Sequence, residues 1–149
     1  MIIILTKKVV LESHQPPNLT LFLTAEERTK VKHSIEIKEP NYHNITLVKL
    51  NLARGDYLES EDMLTDDNET FFVKIQAKLE SVITVKSESK LDLLKAAYHL
   101  GNRHVNLEIT EKYLRFSPDS VLENMLIKLG LNIYEEKAPF FPEIGAYKH

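Results

Sequence analysis

The sequence contains no cysteine, only four glycines and no long apolar run. The absence of cysteine excludes disulfides, thiolate nucleophiles, iron–sulfur clusters and cysteine-based zinc sites. A transition-metal site in this chain would therefore use histidine, carboxylate, backbone or water ligands. The glycines are too few and too scattered for a phosphate-binding loop, and neither a Gly-x-Ser-x-Gly nor a His-Glu-x-x-His motif occurs. Nothing in these patterns indicates an enzyme.

Charge and hydropathy indicate a globular chain whose partners include neither nucleic acid nor a membrane. The 149 residues carry a formal net charge of −3, with 43% hydrophobic and 28% charged residues. This charge gives no strong attraction to nucleic acid or to an anionic membrane surface. The apolar run Ile2–Leu5 is followed by Lys7 and Lys8. It is too short for a signal peptide or a membrane span, and it favours a first β-strand.

The first half of the chain is predicted to be rich in β-strands. An acidic stretch at 59–69 is interpreted as a solvated loop, because its carboxylates lack the spacing of a calcium loop. Short segments with strand-forming residues or alternating patterns occur at 19–23, 31–37, 45–50 and 71–75. We therefore predict a β-rich N-terminal domain over residues 1–77, with a boundary near Lys78.

The second half changes to a mixture of strand and helix signals. A strand at 82–86 precedes a helix that begins with Ser89 as its N-cap and ends with Gly101 as its C-cap glycine. Strands at 105–109 and 113–116 come next. A second helix begins at Ser117 and Pro118 and ends at Gly130, and 131–134 forms the last strand.

This order of elements predicts a ferredoxin-like (βαββαβ) C-terminal domain over residues 78–149, so the whole chain belongs to the α+β class. The fold alone carries no function. The helical spacing of apolar residues predicts that one side of each helix packs on the sheet. We expect the following residues to be buried there: Leu91, Leu94, Leu122, Met125 and Leu126.

Histidine is the remaining candidate metal ligand, and the chain has six. A single histidine is most often a surface or hydrogen-bonded residue, and this interpretation is kept for His14, His33 and His43. His99 is predicted to be a partly covered helix residue. His104 differs because it follows the predicted helix end and directly precedes a strand. That position places it at the surface end of the unit, where its imidazole could bind a metal ion.

Three motifs from the middle of the second half onward are similar to the UreE family of urease accessory proteins. The first is Gly-Asn-Arg-His-Val at 101–105, the second is the helix around Asp119, and the third is the ending at 139–147, with Pro-Phe, Pro-Glu and Gly-Ala-Tyr. Weaker similarity occurs at 23–28 and in Arg-Gly-Asp at 54–56. The resemblance covers the whole chain and is strongest from Leu91 onward.

This resemblance implies a homodimeric nickel metallochaperone rather than an enzyme. The histidine matching His104 is the shared metal ligand of the family, contributed by both chains at the dimer interface. His149 would be a mobile auxiliary ligand on an aromatic tail. Nickel would pass to a partner GTPase and then to apo-urease, in the cytoplasm or in a plastid stroma. Imidazole suits Ni²⁺ and also accepts Zn²⁺ or Cu²⁺ in vitro.

The chain also departs from part of the family, and two other functions stay open. Some members carry a histidine pair before the second helix, where this chain has Ser117-Pro118-Asp119-Ser120, and many end in a histidine-rich tail. The first alternative is a non-metal assembly module whose N-terminal β domain binds partner or unfolded protein surfaces. The second is a small hydrolase built on scattered carboxylates, which would need a pocket with convergent acids.

Overall fold

The computed structural model describes residues 1–9 and 16–144, which divide into two compact units, residues 1–77 and the residues from Lys78 onward. No helix in the described ranges is long and apolar enough to cross a membrane.

The first unit contains two β-sheets. In one, β5 (Leu47–Asn51) lies between β1 (Ile2–Leu5), which runs parallel to it, and β4 (Lys32–Glu36), which runs antiparallel. The other sheet has the order β2-β6-β7-β3, with the bounds Lys7–Lys8, Met63–Thr65, Phe72–Ala77 and Leu19–Leu23. The strands predicted in this half are confirmed, with ends that differ by one or two residues.

One hydrophobic core joins these two sheets. In β1, β5 and β7 alternate residues are buried. Leu5, Val48 and Leu50 of the first sheet and Leu64 and Ile75 of the second belong to one buried cluster. A short 3-10 helix at Glu27–Thr29 follows β3. It begins with reciprocal hydrogen bonds, in which the Thr24 and Glu27 side chains each accept the other's backbone N–H.

The prediction of a solvated loop at 59–69 is wrong in its middle. Strand β6 lies there, and Leu64 and Thr65 are fully buried. The Thr65 hydroxyl donates to the Phe71 carbonyl at 2.7 Å, which satisfies its polar atom inside the core. The loop was predicted from the acidic composition of all eleven residues. A three-residue strand contributes too little to that composition to be recognised between acidic neighbours.

The second unit has the βαββαβ order and confirms the ferredoxin-like prediction. Its elements are β8 (Leu79–Lys86), α1 (Lys90–Gly101), β9 (Glu108–Ile109), β10 (Tyr113–Phe116), α2 (Ser120–Lys128) and β11 (Asn132–Pro139). The antiparallel sheet has the order β11-β8-β10-β9. Side chains of both helices share one core with Ile83, Val85, Leu114 and Phe116, so both helices pack on the same face of the sheet.

Several element ends differ from the prediction for physical reasons. Helix α2 begins at Ser120 rather than Ser117, because the Asp119 carboxylate accepts the backbone N–H groups of Val121 and Leu122 and caps the helix. Strand β9 is shorter than predicted. Strand β11 runs on to Pro139 instead of ending at residue 134, since it pairs with β8 over its whole length.

The predicted burial is confirmed on α2 and wrong on α1. Leu122 and Leu126 are buried, and Met125 packs partly buried against the same core. On α1, however, Leu91 and Leu94 are 58% and 67% exposed. The residues that face the sheet are Leu93, Ala96 and Leu100. Helix α1 is apolar on two sides, and the sequence pattern selected the side that faces away from the sheet.

Candidate metal centre

His104 occupies the turn that ends helix α1. Its backbone N–H donates to the Gly101 carbonyl at 3.0 Å, and the N–H of Val105 donates to the Leu100 carbonyl at 3.4 Å. This pair of bonds is the Schellman motif, in which one residue adopts a left-handed conformation. His104 is that residue, with φ of 56°. Val105 then packs against the core cluster that includes Leu100, which fixes the direction in which the chain leaves the helix.

Helix α2 ends in the same motif with a glycine in the corresponding place. Gly130 has φ of 85°, its N–H donates to Ile127, and the Leu131 N–H donates to Leu126 at 3.0 Å. The two halves of the domain therefore use one turn geometry. In the first half the left-handed position is occupied by histidine, although glycine adopts this conformation without steric cost.

Gly101 does not have the role predicted for it. It is the last residue of α1, and it is not one of the glycines with positive φ. A Cβ added at Gly101 would have no atom within 4 Å, so packing does not require glycine there. The left-handed residue lies three positions later, at His104.

The imidazole of His104 is exposed, as the sequence position predicted. Within residues 1–9 and 16–144, no three His, Cys, Asp or Glu side chains are grouped to hold a metal ion. His149, the second predicted ligand, lies outside the described residues. In the described part of one chain, His104 is therefore a single candidate ligand and not part of a complete metal site.

The other histidines agree with the interpretations made from sequence, except that His14 lies outside the described residues. His99 is partly covered, and its ring meets the Tyr98 ring edge to face at 5.5 Å. His33 is partly buried on β4. His43 lies 3.3 Å from the Asn18 amide nitrogen and edge-on to the Phe71 ring.

A polar network on the sheet face opposite the helices was not found from sequence. Glu108 is 5% exposed, and its Oε2 accepts a hydrogen bond from the Tyr113 hydroxyl at 3.1 Å and lies 3.6 Å from the Arg115 guanidinium. Arg115 also donates to Thr84 and, at 2.7 Å, to Glu136. The only signal in the sequence was that Glu108 and Arg115 lie inside strand segments, where charged residues are equally common on exposed faces.

Two ionisations are shifted in this network. Burial, followed by the negative charge of Glu108, raises the pKa of the Tyr113 hydroxyl. The hydrogen bond from Arg115 lowers the pKa of Glu136 below its ordinary value. Tyr113 is thus kept as a neutral donor and Glu136 as a charged acceptor, as a network centred on Arg115 requires.

Comparison with known proteins places this arrangement in one family. Residues 80–149 match the family described as "UreE urease accessory protein, C-terminal domain". A urease accessory protein UreE of Nostoc sp. (strain PCC 7120) is 49% identical over 131 residues, which are 88% of this chain and 86% of that protein. The chain belongs to the UreE family. The UreE protein of Nostoc punctiforme is 48% identical over 89% of this chain and 90% of its own length. That of Microcystis aeruginosa is 50% identical over 92% and 85%.

Family membership confirms two expectations from sequence. The resemblance carried by the 101–105 and 119–131 segments and by the C-terminal motifs is correct, and the chain is an accessory protein rather than an enzyme. The family's name concerns urease, and it specifies neither a metal ligand nor an oligomeric state.

Proposed function

We propose that this chain is a nickel metallochaperone for urease maturation, and that one Ni²⁺ ion is bound between two chains through paired His104 side chains. The observation that carries the proposal is the backbone of His104. A non-glycine residue in the left-handed region costs on the order of 1 kcal/mol and persists where a function or the surrounding structure requires that side chain. The matching turn of α2 contains glycine, so the turn geometry itself does not require histidine.

Pairing by symmetry supplies what one chain lacks. A twofold axis brings the same surface patch of both chains together, so one residue can provide two ligands. Two neutral imidazoles with water, or with His149 of either chain, would make a site suited to Ni²⁺ that can still release it. The same nitrogen ligands would also accept Zn²⁺ or Cu²⁺ in vitro.

Helix α1 offers a surface for this pairing. Leu91, Leu94 and Tyr98 are 58%, 67% and 68% exposed, and the helix they occupy leads directly to His104. Their spacing of three and four residues places them along one side of the helix. Exposed apolar side chains in one stripe are typical of a protein interface. We therefore propose that a second copy covers this stripe and brings the two His104 residues together.

The proposed route for the metal follows from the family's role. Nickel held between two chains would pass to the urease accessory GTPase and then to apo-urease, in the cytoplasm or in a plastid stroma. The alternative of a metal-free assembly module has less support, because it gives no reason for a histidine at a position that favours glycine.

Calorimetric titration of the untagged, full chain with Ni²⁺ tests this proposal. We expect one tight ion per two chains, and loss of that site in His104→Ala with the dimer retained. His33→Ala is the matched control, since His33 lies in the other unit and should leave nickel affinity unchanged. One tight ion per single chain, or unchanged affinity in His104→Ala, would show that the bridging site is wrong.

A further inference from the structure

The β1-β5-β4 sheet of the first unit has an exposed outer face. Alternate residues of β1 are buried in the core, which leaves Ile2 and Ile4 on the opposite side, where they are 56% and 49% exposed. The strand registers place Ile4 beside Lys49 of β5, and Lys49 beside Ser34 of β4. We define the outer face by the exposed residues that share this side of the three strands: Ile2, Ile4, Lys32, Ser34, Lys49 and Asn51.

This face carries an excess of positive charge. Lys30 lies on the same side as Lys32, because the chain is already extended two residues ahead of it. Within residues 1–9 and 16–144, no carboxylate forms an ion pair with Lys30, Lys32 or Lys49. The one acidic residue of the three strands is Glu36, at the far end of β4 from Lys32. The chain as a whole has a net charge of −3, so the outer face is opposite in sign to the protein.

A shallow groove of about 500 Å³ joins the basic and apolar parts of the outer face. Ile4, Lys32, Ser34, Lys49 and Asn51 line it. Ile4 and Lys49 are on adjacent strands, which lie about 4.8 Å apart. In an extended peptide, residues two positions apart point to the same side at a spacing of roughly 7 Å. An acidic side chain two positions from an apolar one therefore matches the lysines and Ile4 together.

Two other occupants fit the outer face less well. A second copy of the chain would bring lysines against lysines, and each copy has only Glu36 to offset them, so the pairing would be repulsive. A lipid surface is disfavoured because the backbone groups at the edges of an open sheet find no hydrogen-bond partners in hydrocarbon. Charge complementarity favours an acidic protein segment instead.

We propose that the outer face binds an extended segment of a partner protein in which acidic and apolar side chains alternate along one side. The carboxylates of this segment pair with Lys32 and Lys49, and its apolar side chains cover Ile2 and Ile4. The role goes beyond nickel binding and does not depend on it, because it uses no residue of the second unit.

Titration of the ¹⁵N-labelled full chain with a synthetic peptide tests the proposal. The peptide alternates serine with isoleucine and glutamate in turn, so that the isoleucine and glutamate side chains share one side when it is extended. We expect a Kd of about 0.1–1 mM, with the largest amide shifts in β1, β4 and β5. The control peptide contains glutamine in place of glutamate and should bind at least about fivefold more weakly. Equal affinities, or no shifts at about 5 mM acidic peptide, would overturn the proposal.

Two pairs of variants locate the binding surface. Lys49→Glu should weaken binding of the acidic peptide by at least about tenfold, whereas Lys128→Glu, at an exposed lysine of the second unit, should not. Ile4→Ser should weaken it by about threefold or more, whereas Phe22→Ser, at an exposed residue of the other sheet, should not. Lys49→Gln removes the charge without reversing it and should have an intermediate effect. A Lys49→Glu protein that binds the peptide normally would contradict this location.

Three further measurements separate the proposal from its alternatives and from the metal site. The unaltered chain should not sediment with vesicles that contain phosphatidylserine, and Lys49→Glu should leave its oligomeric state unchanged. Vesicle binding without peptide binding would assign the face to membranes, and a dimer lost in Lys49→Glu would assign it to a second copy. Either result would overturn the proposal. His104→Ala should keep the peptide affinity, and Lys49→Glu should keep the nickel affinity, so that each function can fail without the other.

Discussion

A histidine with a left-handed backbone is uncommon, although histidine, asparagine and aspartate tolerate this region better than most residues. At His104 the conformation is imposed by the turn, because the Leu100 and Gly101 carbonyls both accept bonds from beyond the helix end. The strain is small compared with the stability of a domain, but it is avoidable, as Gly130 shows in the matching turn. The turn therefore explains the backbone conformation of residue 104, but it does not explain why the residue is histidine rather than glycine.

His104→Gly should stabilise the fold while removing the metal ligand. We expect a gain of about 0.5–1 kcal/mol in the free energy of unfolding. Glycine relieves the left-handed strain in the folded state, and its greater conformational freedom in the unfolded chain offsets part of that gain. Urea unfolding of the metal-free protein measures the gain, and nickel titration measures the loss of the site. Gly130→Ala is the reciprocal control and should destabilise by about 1 kcal/mol. A less stable His104→Gly would mean that the imidazole itself supports the fold.

The surface position of His104 could be predicted from sequence, whereas its conformation could not. The place of the residue between a helix and a strand was enough to put it at the end of the unit. Gly101 attracted the C-cap assignment because glycine is the usual left-handed residue. The turn continued for three more residues, and nothing in Asn102, Arg103 or His104 signals this, since each of them is also compatible with a helical or extended backbone.

At the scale of single elements, α1 shows where periodicity is ambiguous. Leu91, Leu94 and Tyr98 fit a helical stripe as well as Leu93, Ala96 and Leu100 do. Only the second set faces the sheet, where it shares one buried core with Val85 and Leu114. Helix α2 has one dominant stripe, and there the prediction was correct. A helix with two apolar sides has a second apolar surface that needs a partner. The sequence pattern revealed the Leu91 and Leu94 side of α1, but the prediction wrongly packed that side on the sheet.

Arg115 of strand β10 bonds to side chains of strands β8 and β11, and its bond to Glu136 makes the stability of the domain depend on pH. The folded-state pKa of Glu136 is lowered by Arg115, so its contribution to stability is present above the ordinary value of 4.5 and is lost as the pH falls through the lowered value. Glu136→Gln should be less stable than the unaltered protein at pH 7. The difference in stability should shrink as the pH falls through the lowered pKa of Glu136.

Unfolding with urea between pH 7 and pH 3 measures this difference. Glu135→Gln is the matched control, because Glu135 is the exposed neighbour on the same strand and its replacement should leave the pH profile unchanged. A stability difference for Glu136→Gln that stays constant over the whole pH range would show that the carboxylate acts by shape rather than by charge.

At the scale of the whole molecule, the order of elements was enough to predict the architecture. Alternation and capping signals in the second half specified βαββαβ, and short strands specified a β-rich first half. The pairing of strands could not be obtained in this way. Parallel contacts such as β1 with β5 join segments more than forty residues apart, and no local pattern encodes such a partner. The Glu108 network was missed for the same reason, since its members meet only when β8, β9, β10 and β11 pair.

The apolar stripe of α1 supplies the last prediction, which concerns assembly. If a second copy covers Leu94, a twofold axis buries this side chain twice, and each burial contributes about 1.5–3 kcal/mol. Leu94→Lys should therefore weaken dimerisation by at least about 3 kcal/mol, or roughly a hundredfold, and should lose tight nickel binding although His104 is unchanged. Sedimentation equilibrium over a range of protein concentrations, with and without Ni²⁺, measures both effects. Phe22→Lys is the control, because Phe22 is a similarly exposed apolar residue of the other unit, 61% exposed, and should leave the dimer intact. A Leu94→Lys protein that dimerises normally would place the twofold axis elsewhere, and normal nickel binding by a monomeric Leu94→Lys protein would show that one chain is sufficient for the site.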